Sequence, residues 1–447
     1  MKVHIKWHIA FAIISIISIL GLFWQHDDSF NSSVFNAIDT IDKADTAWLL
    51  TSSCLVLLMT PGLSFFYGGM VGSKNVISTM LQSFICLGVI SLLWIACGFS
   101  LAFGDPSLSI TIEGVEYGII GNFSQYAFFD QVSLYPHKVI ATSIPFILFA
   151  MFQMKFAIIT PALITGSFAE RVRFVSYLLF ICLFSIIIYT PLCHAVWHPN
   201  GLLGGYFKVK DFAGGTVVHM SAGIAALAGA LYIGKRTNVH HKPTNIPFVI
   251  LGTGMLWFGW FGFNAGSALA ADGVAATAFA TTTAASAAGM ITWIFFDRIN
   301  GRKVSALGAC IGTVVGLVAI TPAAGFVTVP ESIFFGFSTA ILSNIMVNWN
   351  LLKRIDDSLD VFACHGIGGI MGMILTAIFA HGEDASLLHG GLSIFSHHMA
   401  ALVLVFGLTF VGSIILFKIT DIIIPLRVSK KSEELGLDVS QHNESIA

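Results

Sequence analysis

The sequence predicts an all-α membrane protein: eleven transmembrane helices, built as two five-helix inverted repeats plus one extra helix, with the N-terminus outside and the C-terminus inside. Three observations carry this expectation. Of the 447 residues, 56% are hydrophobic and 10% charged, against about 25% charged in soluble domains. The apolar residues gather into runs long enough to cross a hydrocarbon layer. Lysine and arginine collect in alternate connecting loops.

The first element is a leader. Lys2 and Lys6 precede an apolar run from Ile9 to Phe23, followed by Asp27 and Asp28, which is the layout of a secretory signal peptide without an A-x-A cleavage site. Residues 1–30 are therefore expected to be a signal peptide or a retained N-terminal anchor. Either delivers the following acidic segment to the outside. Beyond it, a core of roughly 30 Å needs helices of about 20 residues, and eleven segments supply them: 46–68, 76–103, 142–166, 174–194, 212–234, 247–269, 275–296, 304–325, 332–348, 362–380 and 399–423. The eighth and ninth are the least marked. Backbone cannot face lipid unless its hydrogen bonds are closed within the segment, so helices are the reading for runs this apolar.

The loops fix the orientation. One alternate set carries Lys74, then Arg171 and Arg173, then Lys235, Arg236 and Lys242, then Arg298, Arg302 and Lys303, then Lys353 and Arg354, and in the tail Arg427, Lys430 and Lys431, fourteen in all. The other set carries Lys43, Lys138, Lys208 and Lys210 among Asp27, Asp28, Glu113, Glu116, Asp130, Asp272, Glu383 and Asp384. The basic set belongs in the cytoplasm. The net charge of -2 is spread without long blocks, so no nucleic-acid partner is implied. Seven cysteines lie mostly in apolar runs without a CxxC pair, which reads as neither a disulfide framework nor a structural zinc site.

An odd helix count permits two halves of opposite orientation, a design common in transporters. The fifth span, "DFAGGTVVHMSAG", places Asp211 before His219, and the tenth, "DVFACHGIGG", repeats the theme with Asp360 and His365. His219 lies eight residues past Asp211, about 12 Å along a helix, so both histidines are expected near the bilayer centre, approached from opposite faces. Ionisable groups there usually face a cavity or a bundle interior. Each imidazole alone can be a neutral ring hydrogen-bonded to a neighbouring helix, but a matched pair points to function. Neutral imidazole has one donor and one acceptor nitrogen, so adjacent rings can share a proton and still present polar edges. Metal binding is the rival reading. No third ligand at helical spacing supports it, although Cys364 adjoins His365. His240, His241, His397 and His398 read as surface residues. Asp211 and Asp360 stand at helix entrances, where a carboxylate caps exposed N–H groups; a carboxylate near an outer vestibule also favours a cation, and the two roles can coexist. Small residues in the fifth span allow close helix packing. Phe152 and Phe156 share a helix face, either as packing or as an aromatic surface for a cation.

Those stretches, with "PGLSFFYGGMVGSKNV", "TPALITGSFAERVRF", "WFGWFGFNAGSA" and "DDSLDVFACHGIGGIMG", resemble the ammonium transporter family (Amt/Mep/Rh), and the likeness runs from about Asp42 to the C-terminus. By that resemblance, residues 42–426 form the transmembrane domain and 427–447 a cytoplasmic tail. His219 and His365 look like the family's twin pore histidines. Trp197, Phe156 and Ser267 match the outer site that receives ammonium, Phe156 and Phe263 the stacked rings at the pore mouth, and Asp211 the aspartate needed beside that site; Gln153 lies in the same motif. The resemblance implies a homotrimer with one pore per subunit in the cell membrane, no cofactor, ammonium or ammonia as substrate, and a tail, "EELGLDVSQHNESIA", similar to the segment that docks a PII-type regulatory protein. Two positions depart from the family. Lys155 stands where a small or apolar residue suits it better, with its ammonium group snorkelling outward or facing a subunit interface, and Ala447 closes the tail where a tyrosine is common. A dedicated ammonium sensor, a metal or other cation transporter, and an intramembrane enzyme are the competing readings. The short tail argues against the first, the lone histidine pair against the second, and the lack of a nucleophile–base pair or metal triad against the third.

Overall fold

A backbone in hydrocarbon must satisfy every N–H and C=O within its own segment, and helices accordingly dominate this chain. The computed structural model describes residues 2–23, 40–238, 242–349, 354–382 and 386–446. In chain order the helices are α1 (Lys2–Phe23), α2 (Lys43–Met70), α3 (Val76–Phe103), α4 (Phe146–Ser167), α5 (Phe174–Trp197), α6 (Gly215–Ile233), α7 (Ile246–Ala268) and α8 (Gly273–Ile299). They continue with α9 (Ala306–Ile320), α10 (Val329–Asn348), α11 (Phe362–Phe379), α12 (Leu392–Ile423) and a short α13 (Lys430–Leu435). The stretches holding Asp27 and Asp28, His240 and His241, Lys353, and Glu383 and Asp384, together with Ala447, lie outside the described residues.

Every one of the eleven expected segments contains a helix, but nine helices among the described residues are long and apolar enough to cross a membrane. The eighth segment falls short because α9 stops at 15 residues, where Thr321 and Pro322 turn the chain. The ninth, α10, has 20 residues but buries Ser332, Thr339, Ser343 and Asn344 along one face. Helix α12 begins at Leu392 rather than 399, and this places His398 on a packed face. It is 1% exposed, not the surface residue expected.

Helices α2 and α7 touch backbone to backbone. A Cβ on Gly252 would sit 2.3 Å from Phe66 N and 2.6 Å from Gly62 O, so only a residue without one permits this approach. Between α3 and α4 the chain forms a hairpin of β1 (Pro106–Ile112) and β2 (Val115–Gly121). Glu113 and Gly114 both have positive φ, at 53° and 80°, the two-residue turn that matches strand twist. Gly118 of this hairpin bridges to Gly201, just past Trp197, so the hairpin braces the loop that carries the tryptophan.

The opposite end is tied by buried charge. Arg236 pairs with Asp356 at 2.7 Å and with Glu170 at 2.8 Å, linking three interhelical loops. The tail folds back beneath α3: Asp438 accepts from Ser78 N at 2.7 Å and Ile77 N at 3.1 Å, which supplies the N-terminal cap that Asn75 does not. Burial raises the Asp438 carboxyl above its ordinary value even against those donors.

Candidate functional site

The site is built on two broken helix starts. The chain enters α6 through Gly214, whose φ of 118° is open to glycine, and its first turn, Gly215–Met220, is a wide π-type turn that ends with His219 on its inner side. Such a start leaves several N–H groups unpaired. Asp211 takes them: its carboxylate accepts from Gly214 N (2.7 Å), Gly215 N (2.6 Å), Thr216 N (2.8 Å), Val217 N (3.3 Å) and the Thr216 hydroxyl. At the matching start of α11, the turn Phe362–Gly366 carries His365, and the carboxylate that receives Phe362 N, at 2.7 Å, is Asp357. Asp360 sits between them in a left-handed backbone conformation, φ 56°, with its carbonyl accepting Cys364 N.

The two histidines meet. Nδ1 of His365 lies 3.3 Å from Nδ1 of His219, with ring centroids 5.3 Å apart and planes at 25°. Both are buried, at 1% and 4% exposure. Bonding through two Nδ1 atoms requires one ring to donate and the other to accept, so the pair holds one proton between the rings in its neutral state. Nε2 of His219 is buried and has no hydrogen-bond partner among the described residues. The meeting depends on two glycines, each four residues past its own histidine. A Cβ on Gly223 would lie 2.0 Å from Gly366 N and 2.8 Å from the His365 carbonyl carbon, while one on Gly369 would lie 2.9 Å from Met220 N and 3.2 Å from His219 Cβ. Each glycine makes room for the opposite histidine's backbone. Trp260 lies flat against His219, centroids 5.3 Å apart at 18°, and is itself held by Nε1 donating to Thr321 Oγ1 at 2.9 Å.

Above His219 the path is closed by phenyl rings. Phe263 lies 5.9 Å from His219 and Phe156 4.2 Å from Phe263. Beyond Phe156 opens a cavity of about 230 Å³ whose walls include Gln153, Phe156, Trp197, Phe212, Ser267 and Leu269. Trp197 stands edge-on to Phe156 at 5.8 Å, and its Nε1 donates to the Asp211 carbonyl at 2.9 Å. Ser267 donates to Phe263 O at 2.8 Å, which leaves its own lone pairs for a donor in the cavity. Gln153 Oε1 is buried with no hydrogen-bond partner among the described residues.

The structure thus brings Gln153, Phe156, Trp197 and Ser267 to one cavity and Phe156 and Phe263 to one stack, with the histidine pair behind. Asp211 is not in the cavity wall; it reaches it through Trp197 and the adjacent Phe212. Lys155 is half-buried, outside that wall, with Met154 Sδ at 4.0 Å from its Nζ. Sequence reasoning passed over Trp260 and Asp357. Asp357 had a signal, since it precedes His365 by eight residues as Asp211 precedes His219; Trp260 was one aromatic among six in its segment.

The arrangement can hold a small cation against aromatic faces, exclude water behind a double ring, and offer a neutral hydrogen-bonding pair in an apolar passage. Comparison with known proteins bears on what passes. The profile of the Ammonium Transporter Family matches residues 47–446. An ammonium transporter of Bacillus subtilis (strain 168) is 42% identical over 418 residues, covering 90% of this chain and 98% of that one. The crystal structure of Saccharomyces cerevisiae Mep2 aligns with a TM-score of 0.83 at 32% identity, covering 92% of this chain and 93% of the other. A solved Sensor Amt Protein aligns at 0.78 with 30% identity, covering 89% and 98%.

Proposed function

This chain belongs to the ammonium transporter family, and we propose that it recruits ammonium at the Trp197 cavity, removes a proton there, and conducts ammonia past His219 and His365. It is a multi-pass cell-membrane ammonium transporter and not an enzyme. The mechanism rests on one observation above all: a histidine pair, buried to 1% and 4% exposure, directly behind two phenyl rings whose centroids lie 4.2 Å apart.

The energetics favour ammonia as the crossing species. An unpaired ion in such a passage costs tens of kcal/mol in the ideal limit, whereas an uncharged polar molecule costs about 2–7 kcal/mol without hydrogen bonds. The polar edges of His219 and His365 offset much of the smaller figure and little of the larger. At the mouth, Trp197 and Phe156 contribute about 0.5–2 kcal/mol each as cation–π partners, while Ser267 and Gln153 accept from the N–H groups of ammonium. Potassium has no proton to lose and stays outside. Asp211 orders the start of α6 and, through its carbonyl, fixes the Trp197 ring.

The remaining architecture follows the same reading. Eleven spans, with α9 as the short member, leave the N-terminus outside and put Arg171, Arg236 and the tail in the cytoplasm. Residues 1–30 act as leader or anchor, 42–426 as the transport domain and 427–447 as the cytoplasmic tail. Three copies assemble, one pathway in each, and the tail beneath α3 offers a surface to a PII-type protein. Asp360 helps order the start of α11. The test is methylammonium or ammonium uptake in a transport-deficient cell. Uptake by the unaltered chain that falls in His219→Ala and His365→Ala supports the proposal; unaltered uptake in both variants overturns the histidine pathway.

A further inference from the structure

The two halves differ at one atom. Asp211 and Asp357 occupy the same place, eight residues before their histidines, yet the Asp211 carboxylate meets five donors. On Asp357, Oδ2 takes Phe362 N, while Oδ1 is buried and has no hydrogen-bond partner among the described residues. A buried carboxylate oxygen without a donor is costly. Asp357 also lines a cavity of about 420 Å³ with Leu227, Arg236, Asp356, Ser358, Asp360 and Phe362. Leu227 lies two helical turns past His219, and Phe362 three residues before His365, so this cavity receives the far end of the passage. Gln153 and Trp197 belong to the other end.

The charges around it set what fits. Asp356 is already bound to Arg236 at 2.7 Å, and Arg171 donates to Ser358 Oγ and the Asp356 carbonyl at 2.5 and 2.8 Å. Lys235 lines the same cavity. Burial pushes the Asp357 carboxyl up to about 6, partly opposed by its backbone donors and by Arg171, so it is largely ionised at neutral pH. An ionised oxygen lacking a donor asks for N–H groups.

We propose that this cavity is a second binding site for ammonium and small protonated amines, at the cytoplasmic end, with Asp357 Oδ1 as its charged acceptor. The inference rests on the ammonium pathway described above and extends it. The passage then has unlike ends: aromatic faces hold the cation at one mouth, where the aspartate is saturated, and a carboxylate holds it at the other. Lys235 weakens the hold, which suits a site that must release.

The test is ammonium flux through proteoliposomes with the protein in one orientation, measured from each side. Asp357→Asn retains an oxygen for Phe362 N but removes the charge. It should raise the half-saturating ammonium concentration from the Asp357 side about tenfold, as expected for one lost charge-assisted hydrogen bond, and leave the Trp197 side unchanged; Asp357→Glu should recover part of the loss. Lys235→Gln should shift the Asp357 side the opposite way and decides the matter if Asp357→Asn does not fold. Equal changes from both sides in Asp357→Asn, or no shift in Lys235→Gln when it stands alone, would overturn the proposal. Absence of flux in the unaltered protein would instead overturn the transport mechanism beneath it.

Discussion

Asp211 commits both carboxylate oxygens to its own chain, and that makes it the residue whose loss is felt in folding before it is felt in transport. Asp211→Ala strands several N–H groups at the start of α6, each worth about 1–3 kcal/mol when buried and unpaired, so thermal unfolding in detergent should shift down by several degrees; an unchanged midpoint would deny the anchor role. Phe156→Ala and Trp197→Leu should behave oppositely. Both should leave folding intact and raise the half-saturating ammonium concentration by about 2- to 30-fold, the range of one cation–π contact. Lys155→Met, outside the cavity wall, should leave uptake unchanged. The histidine pair was legible in sequence because ionisable residues stood in apolar runs, whereas Trp197, Ser267 and Phe263 were singled out by the family resemblance alone. Asp357 was not, because Asp360 lies nearer to His365 and drew the capping role; only the repeated offset of eight singles it out.

At the scale of elements, the crossing of α6 and α11 decides whether the histidines meet. Gly223→Val or Gly369→Val pushes a branched side chain into the opposite backbone, at contacts of 2.0 and 2.9 Å for the first carbon alone. Either should abolish the folded protein in size-exclusion profiles. Gly254→Ala is the matching control: no heavy atom stands within 4 Å of its added carbon, and the change should be neutral or stabilising by up to about 1 kcal/mol. Helix positions were readable from apolar runs, since lipid imposes them directly. The ends were less so. Helix α9 stops early at Thr321 and Pro322, and α12 starts early, because loop packing rather than hydropathy sets them. The hairpin β1–β2 escaped notice for the same reason: it lies outside the apolar runs and its strands are largely exposed.

The whole molecule is held at one end by aromatic packing around the cavity and at the other by Arg236 with Glu170 and Asp356. Arg236→Ala leaves two buried carboxylates without this partner and should cost about 3–5 kcal/mol, read as a lower thermal midpoint. The same network gives a pH dependence. Hydrogen bonding to Arg236 and the charges of Arg236 and Arg171 hold the Asp356 carboxyl below its ordinary value, against the desolvation that raises it. Its stabilising contribution is therefore present above the ordinary carboxylate range, near pH 4, and is lost as pH falls through the lowered value. What the sequence alone could not supply was how α6 and α11 face each other, since that lies in backbone contacts between residues far apart in the chain. In the mechanism we propose, the path past His219 and His365 passes ammonia and refuses ions. The most direct test is the ratio of ammonium to potassium flux in proteoliposomes of the unaltered protein and of His219→Ala and His365→Ala. A high ratio that falls about tenfold or more in both variants is the predicted result; a ratio the two variants leave unchanged would contradict it.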